Sequence, residues 1–208
     1  MNSTTNTHAP SRPDPILVLP RSITIRPYHL ADAPSLSANL TTRVWSNLTD
    51  RVPHPYTVAD AEAWASHCLS SSTHLASGTY DASSHTSSGE LLPTNFAIVL
   101  AGEAVGSIGL EVGQNIYRRT ATLGYWLGES HWGKGVMSLV VPAFVDWVWQ
   151  RFERFVRLNA TTYTRNEASG AVLRKAGFDF EGRRKKAYIK EGVVGDEDTW
   201  GALRPEQV

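Results

Sequence analysis

The stretch Leu127-Gly-Glu-Ser-His-Trp-Gly-Lys-Gly-Val136 carries the densest chemistry in the chain. A strand-like run ends at Leu127 and an apolar helical period starts at Val136, so the glycines fall at a strand-to-helix junction. Free N–H groups at a helix N-terminus, backed by the helix dipole, bind phosphate-bearing ligands. Glycine at 133 and 135 removes the Cβ atoms that would hold such a ligand off the backbone. Two phosphate-binding signatures fit poorly. Gly128-x-x-x-x-Gly133-Lys134 opens like a P-loop but continues with Gly135, where Ser or Thr must hold magnesium. The following strand, VRLNATTY, offers no acidic metal residue either. A dinucleotide fingerprint needs Gly or Ala at 138, which is Ser138, and no acidic strand end follows. One cysteine, Cys68, and seven scattered histidines predict neither an internal disulfide nor a metal site. Twenty basic residues balance twenty acidic ones, which argues against nucleic acid as a partner.

These residues need a scaffold, and the periodicities supply one. Residues 1–15 are polar and proline-rich and read as a disordered tail. ILVLPRSITIRP reads as one or two strands interrupted by Pro20. Asp32 before Ala33-Pro34 reads as a capping carboxylate with Pro in the first helical turn. Thr57-Val-Ala-Asp60 resembles a capping box opening a helix to about Leu69. Residues 69–94 are serine-rich and without period, and read as a flexible insertion. FAIVL and AVGSIGLEV form a hairpin around Ala101-Gly102-Glu103, and RTATLGYWL is the next strand. Val136, Leu139, Val140, Ala143, Phe144, Trp147 and Val148 mark one helix face, with Pro142 implying a kink or a slipped hydrogen bond. VRLNATTY is a further strand, Asn166 caps a short helix that Gly177 ends, and FDFEGRRKKAYIK and VVGDEDTWGAL close the chain as two strands. The order predicts an α+β fold with one mixed sheet flanked by helices. An apolar content of 41% supplies its core. No secretory h-region and no run of about 18 apolar residues is present, so a soluble cytoplasmic protein without a membrane partner is expected.

Leu123-Gly-Tyr-Trp-Leu127, Trp132-Gly-Lys-Gly135, Arg157-Leu-Asn-Ala160, Asn166-Glu-Ala-Ser169, Leu173-Arg-Lys-Ala-Gly-Phe178 and Glu181-Gly182 occur in an order and spacing that resemble the GNAT superfamily of N-acetyltransferases. They are most similar to the branch that acetylates ribosomal-protein N-termini, with its small-amine relatives. The resemblance covers about 16–204 apart from the serine-rich insertion. It implies the GNAT fold, with the sheet splayed between the fourth and fifth strands of that fold, here RTATLGYWL and VRLNATTY. It implies acetyl-CoA as co-substrate, without metal. Backbone N–H groups of Trp132, Gly133, Lys134, Gly135, Val136 and Met137 would hold the pyrophosphate. Backbone of Trp126, Leu127 and Gly128 would pair with the pantetheine like an added strand. Asn166 matches the residue that bonds the pantetheine arm, and Ser169 the proton donor near sulfur. Three positions depart from the family pattern. Ser130 stands where Gln or Arg is usual, Leu173 where many members place a Tyr acid, and Leu139 where this branch often has Glu.

The acid's duty therefore shifts to Ser169 or Tyr188, and Glu111, at a strand end facing the expected cleft, is the candidate general base. Tyr125 reads as packing, Cys68 as a buried small apolar residue, and Arg183-Arg-Lys-Lys186 as a solvated basic run. If Trp45, His54, Tyr56 and Trp64 face the cleft, they would build a closed acceptor pocket. Three functions follow from the resemblance: acetylation of a small-molecule amine, acetylation of a protein N-terminus, or silent acyl-CoA binding, by a monomer or homodimer.

Overall fold

The computed structural model describes residues 11–205. Strands β1 (Leu17–Leu19) and β2 (Ile23–Arg26) precede helices α1 (Ala33–Asn39), α2 (Thr42–Trp45) and α3 (Val58–Leu69). Four two-residue strands follow: β3 (Leu75–Ala76), β4 (Tyr80–Asp81), β5 (Thr86–Ser87) and β6 (Leu91–Leu92). Then come β7 (Asn95–Leu100), β8 (Glu103–Val112), β9 (Thr120–Leu127), α4 (Val136–Arg151), β10 (Arg157–Tyr163), α5 (Glu167–Lys175), β11 (Asp179–Lys190) and β12 (Val193–Leu203).

Eight strands form one sheet in the order β1-β2-β7-β8-β9-β10-β12-β11. Every neighbouring pair is antiparallel except β9 and β10. That parallel pair needs a long crossover, and α4 is it. Side chains alternate between the sheet's faces, so two cores form. On one face Phe96, Ile98, Ile108, Leu123 and Leu158 pack under Val140, Val141, Phe144 and Val148 of α4 and Leu173 of α5. On the other, Ala97 and Val99 meet Ala33 and Leu36 of α1 and Ala61, Ala65 and Cys68 of α3. The chain is thus an α+β mixed sheet between two helix layers, and α4 runs unbroken through Pro142.

The Thr57 capping box forms as its residues predict, with Asp60 N–H donating to Thr57 and Thr57 N–H to Asp60. The hairpin turn also forms, with Ala101 and Gly102 at φ 49 and 88. Asp32 behaves differently. It makes no side-chain cap to α1; its two oxygens take the Arg26 guanidinium at 2.7 Å each, fully buried, and one accepts the His29 N–H. A buried arginine is a stronger claim on the carboxylate than a helix amide. The serine-rich segment, expected to be a flexible insertion, carries local pairing: β3 with β6 and β4 with β5. Asp81 accepts from Ser83 and Ser84, and Gly78 N–H donates to Arg151 O at the end of α4. Of the expected disordered tail, residues 1–10 lie outside the described residues, and 11–15 carry no helix or strand.

Candidate active site

After β9 the chain makes one tight turn, Glu129–His131, and reaches the glycines. The Trp132 indole donates to Leu127 O at 2.7 Å and folds that turn back on the strand. Arg43 covers the Trp132 ring at 5.5 Å and pairs with Glu129 at 2.6 Å. Gly133 and Gly135 stand at φ 70 and 73, a region L side chains rarely adopt, and Gly135 is the residue from which α4 starts. No side chain caps that helix N-terminus. A Cβ at 133 would meet nothing within 4 Å, and one at 135 only the Arg21 guanidinium at 3.5 Å. Arg21 itself donates to Lys134 O at 2.9 Å. The Trp132 N–H, expected in the pyrophosphate cradle, is instead taken by Glu129 O at 3.0 Å, closing the turn before the loop. The loop is therefore an open cradle of N–H groups from Gly133 to Met137 with cations beside it, and it fits a pyrophosphate. Ser130 and Glu129 line a neighbouring cavity of about 390 Å³ with Asn39 and Thr41.

β9 and β10 pair over three positions, Arg157↔Thr120 to Asn159↔Thr122. On its other side β9 is paired with β8 from Ala121 to Leu127. Gly113 N–H donates to Thr120 O, and Gly128 N–H to Val105 O. Those two bonds set the phase of the ladder. Alternation then turns the N–H and C=O of Leu123, Tyr125 and Leu127 toward the β10 side. Of the three residues expected to pair with an added strand, Leu127 presents its N–H there, its carbonyl being taken by Trp132. Trp126 packs its ring against the second core.

α5 begins at Asn166, whose Oδ1 accepts the Ser169 N–H at 3.3 Å. The expected cap is thus formed, and Ser169 lies in the first turn. Its hydroxyl sits 2.6 Å from the Tyr125 phenol, whose oxygen is also 3.2 Å from Ser169 O. Burial pushes the Tyr125 phenol up to about 12, against a smaller lowering by the Ser169 bond. Tyr125 therefore does more than pack. Leu173 is fully buried in the first core. Tyr188 stacks on Tyr163 at 3.9 Å, with Arg165 over both rings. The structure joins Ser169 to Tyr125 and Tyr188 to Tyr163.

Glu111 pairs across the ladder with Thr122, and therefore lies on the face opposite Tyr125. It lines a second cavity of about 390 Å³ with Gln114, Tyr117, Thr120, Thr122 and Asn159. Arg51 forks onto it at 3.2 and 2.7 Å and holds its carboxyl below the usual range. That pairing weakens Glu111 as a proton acceptor.

Residues 46–57 form a strap beside this face. Besides Arg51, it is held by Lys190 on Asp50 (2.6 Å), the Tyr163 hydroxyl on Leu48 O (3.2 Å) and Arg165 on Ser46 O. The Lys190 ammonium also lies 3.2 Å from the Trp45 ring centre, and Trp45 stacks on His54. Tyr56 packs against the second core, and Trp64 donates to Tyr28 in that half of the molecule. The four aromatic residues thus divide between two places and do not line one pocket. The basic run also finds partners, Arg183 on Asp198 and Arg184 on Glu197. Sequence reasoning missed Arg51, for which no local motif exists, and undervalued Tyr125.

The family described as "Acetyltransferase (GNAT) domain" matches residues 22–179, most of the chain. The chain belongs to the GNAT acetyltransferase family. It is 36% identical over 88 residues to the probable N-acetyltransferase YjcK of Bacillus subtilis, covering 42% of this chain and 48% of that protein. It is 30% identical over 114 residues to the ribosomal-protein-serine acetyltransferase of Escherichia coli, covering 54% and 62%. The chain thus spans about half to three-fifths of these relatives' lengths. Its fold matches RimL, a ribosomal-protein alpha-N-acetyltransferase solved with coenzyme A, at TM-score 0.71 and 20% identity over 91% of this chain and 98% of that one. The acyl donor of GNAT enzymes is acetyl-CoA, and the open loop of Gly133 and Gly135 is the feature of this GNAT domain that fits its pyrophosphate. Among the described residues no cluster of three or more His, Cys, Asp or Glu side chains is placed to hold a metal. No helix among them is long and apolar enough to cross a membrane.

Proposed function

We propose that this GNAT domain transfers the acetyl group of acetyl-CoA directly to a primary amine of a small, polar acceptor. One observation carries the acceptor class: the polar cavity at Glu111 has about 390 Å³, near the lower end for small-molecule sites, and the tied strap 46–57 stands beside it. Acetyl-CoA supplies the activated thioester. Backbone N–H groups from Gly133 to Met137 hold the pyrophosphate, with the helix dipole of α4 behind them. The pantetheine arm enters where the β9–β10 ladder stops, pairs with the free edge of β9 at Tyr125 and Leu127, and is met by Asn166. A strand N–H on that edge polarises the carbonyl. Ser169 hydrogen-bonds the leaving sulfur from the α5 face. Glu111 draws the acceptor ammonium to the other face. With its carboxyl lowered by Arg51, it leaves much of the deprotonation to water. Tyr188 stays with Tyr163 and contributes to the wall of the cleft rather than to proton transfer.

The similarity to the ribosomal-protein-serine acetyltransferase supports a second reading, in which the amine is a protein N-terminus. Thiol release from acetyl-CoA, measured across small polar amines and N-terminal peptides, separates the two. Small amines are expected to turn over, with kcat/KM rising with pH toward the acceptor's own pKa, because only the neutral amine attacks. Turnover of peptides alone would replace the acceptor class. No thiol release with any amine would leave only acyl-CoA binding.

A further inference from the structure

Ser169 is a small side chain with three accessible rotamers, and a hydroxyl that must meet a developing charge works best when only one is populated. We propose that Tyr125 is the positioning residue that selects it: the phenol, held on β9, fixes the Ser169 hydroxyl with its proton free for the leaving sulfur. The inference rests on the role assigned to Ser169 above.

Acidity decides the direction of the short bond. Tyr125 and Ser169 are 44 residues apart and meet where β9 carries the N–H groups of its free edge, with the two oxygens 2.6 Å apart. A phenol is a stronger acid than an alkyl hydroxyl, so the phenol's one proton goes along the shorter 2.6 Å contact to the serine oxygen rather than to Ser169 O at 3.2 Å. The serine proton is then left for a third group. The 3.2 Å approach of the same phenol to Ser169 O places the ring against the α5 backbone as well as the side chain. Tyr125 is not itself the acid. A thiolate whose conjugate acid has a pKa of about 8.5 takes no proton from a phenol held up to about 12. The phenol stays protonated and orients, and the thiol gains its proton from water.

The test compares Tyr125→Phe, Ser169→Ala and the double variant. Three quantities are measured: kcat at saturating acetyl-CoA, CoA affinity by calorimetry, and the pKa of the enzyme-bound CoA thiol from the ultraviolet absorbance of its thiolate. Tyr125→Phe is expected to lower kcat about tenfold and leave CoA affinity within about threefold, as fits a contact that matters most as charge develops. The double variant should be no slower than Ser169→Ala. In the wild type the bound thiol should titrate about one unit below free CoA, and Tyr125→Phe should abolish most of that shift, since tenfold corresponds to one pKa unit. A packing role alone would not move that titration. If Ser169→Ala is impaired while Tyr125→Phe keeps full kcat and the thiol shift, or if the two losses simply add, the inference is overturned and the role of Ser169 stands. If Ser169→Ala keeps full kcat, the role of Ser169 falls, and the inference with it.

Discussion

Replacing Gly133 by aspartate should weaken CoA binding through charge, and asparagine at the same position isolates that charge. Both residues tolerate the left-handed conformation better than other side chains, so the φ of 70 costs each a similar amount, about 1 kcal/mol. In a domain of 150–250 residues that lowers Tm by roughly 2–4 °C. A Cβ at 133 meets nothing within 4 Å, so neither variant clashes with the fold. Gly135 is the poorer site for this test, because a Cβ there would lie 3.5 Å from the Arg21 guanidinium, which would neutralise an introduced carboxylate. A carboxylate about 5 Å from one phosphate charge, at an effective dielectric of about 20, is repelled by about 3 kcal/mol. Solvent exposure of the loop reduces this to about 1.5–2 kcal/mol, a factor of roughly 10–30 in affinity. Calorimetric titration with CoA at low salt should therefore show Gly133→Asp binding 10–30-fold more weakly than Gly133→Asn, with the difference shrinking at about 1 M salt as the Debye length falls to about 3 Å. Equal affinities of the two variants at low salt would refute the placement of the pyrophosphate at this loop.

Two further outcomes follow from the packing. The Lys190 side chain is 2% exposed and that of its partner Asp50 70%, so removing the acid strands a buried ammonium while removing the base leaves an acid already in water. Asp50→Ala should cost about 1–3 kcal/mol in denaturant unfolding and Lys190→Met less than about 1, and equal losses would contradict this asymmetry. Limited proteolysis should cut first within the serine-rich segment, between Asp81 and Gly89, where the pairing is two residues per strand; survival of that stretch for as long as β7 and β8 would show that it shares the stability of the sheet.

What was legible in the sequence was what neighbours in sequence decide. Thr57 and Asp60 form a reciprocal cap because both partners lie within one turn, and Asn166 reaches Ser169 N–H for the same reason. The glycines at 133 and 135 sit at positive φ, as a strand-to-helix turn without Cβ atoms demands. The missed features each join residues that only the folded sheet brings together. Tyr125 reaches Ser169 across 44 residues, and Arg51 reaches Glu111 across 60. Asp32 shows the limit of a local rule. It stands at a proper cap position, yet Arg26 on the neighbouring strand takes its carboxylate. The serine-rich segment defeats periodicity because its strands are too short to alternate. Asp81 organises a turn through Ser83 and Ser84, and Tyr80 lies under Arg119 at 4.9 Å, neither of which leaves an apolar pattern.

The departure at 173 and the bond at 125 are two sides of one arrangement. A tyrosine acid at 173 would have to leave the first core, where Leu173 is fully buried under α5. The phenol of this chain instead stands on β9 and meets the same helix one turn earlier, at Ser169. On the proposed reading that phenol acts through the hydroxyl α5 presents to it. This divides the work between the two faces of the sheet. The leaving group would be served from the α5 face by the Tyr125–Ser169 pair, and the attacking amine gathered at Glu111 on the other. The place where β9 and β10 cease to pair, after Thr122 and Asn159, would be the passage between them. Approach from opposite faces gives attack and departure the alignment that direct transfer needs, without a covalent intermediate on the protein.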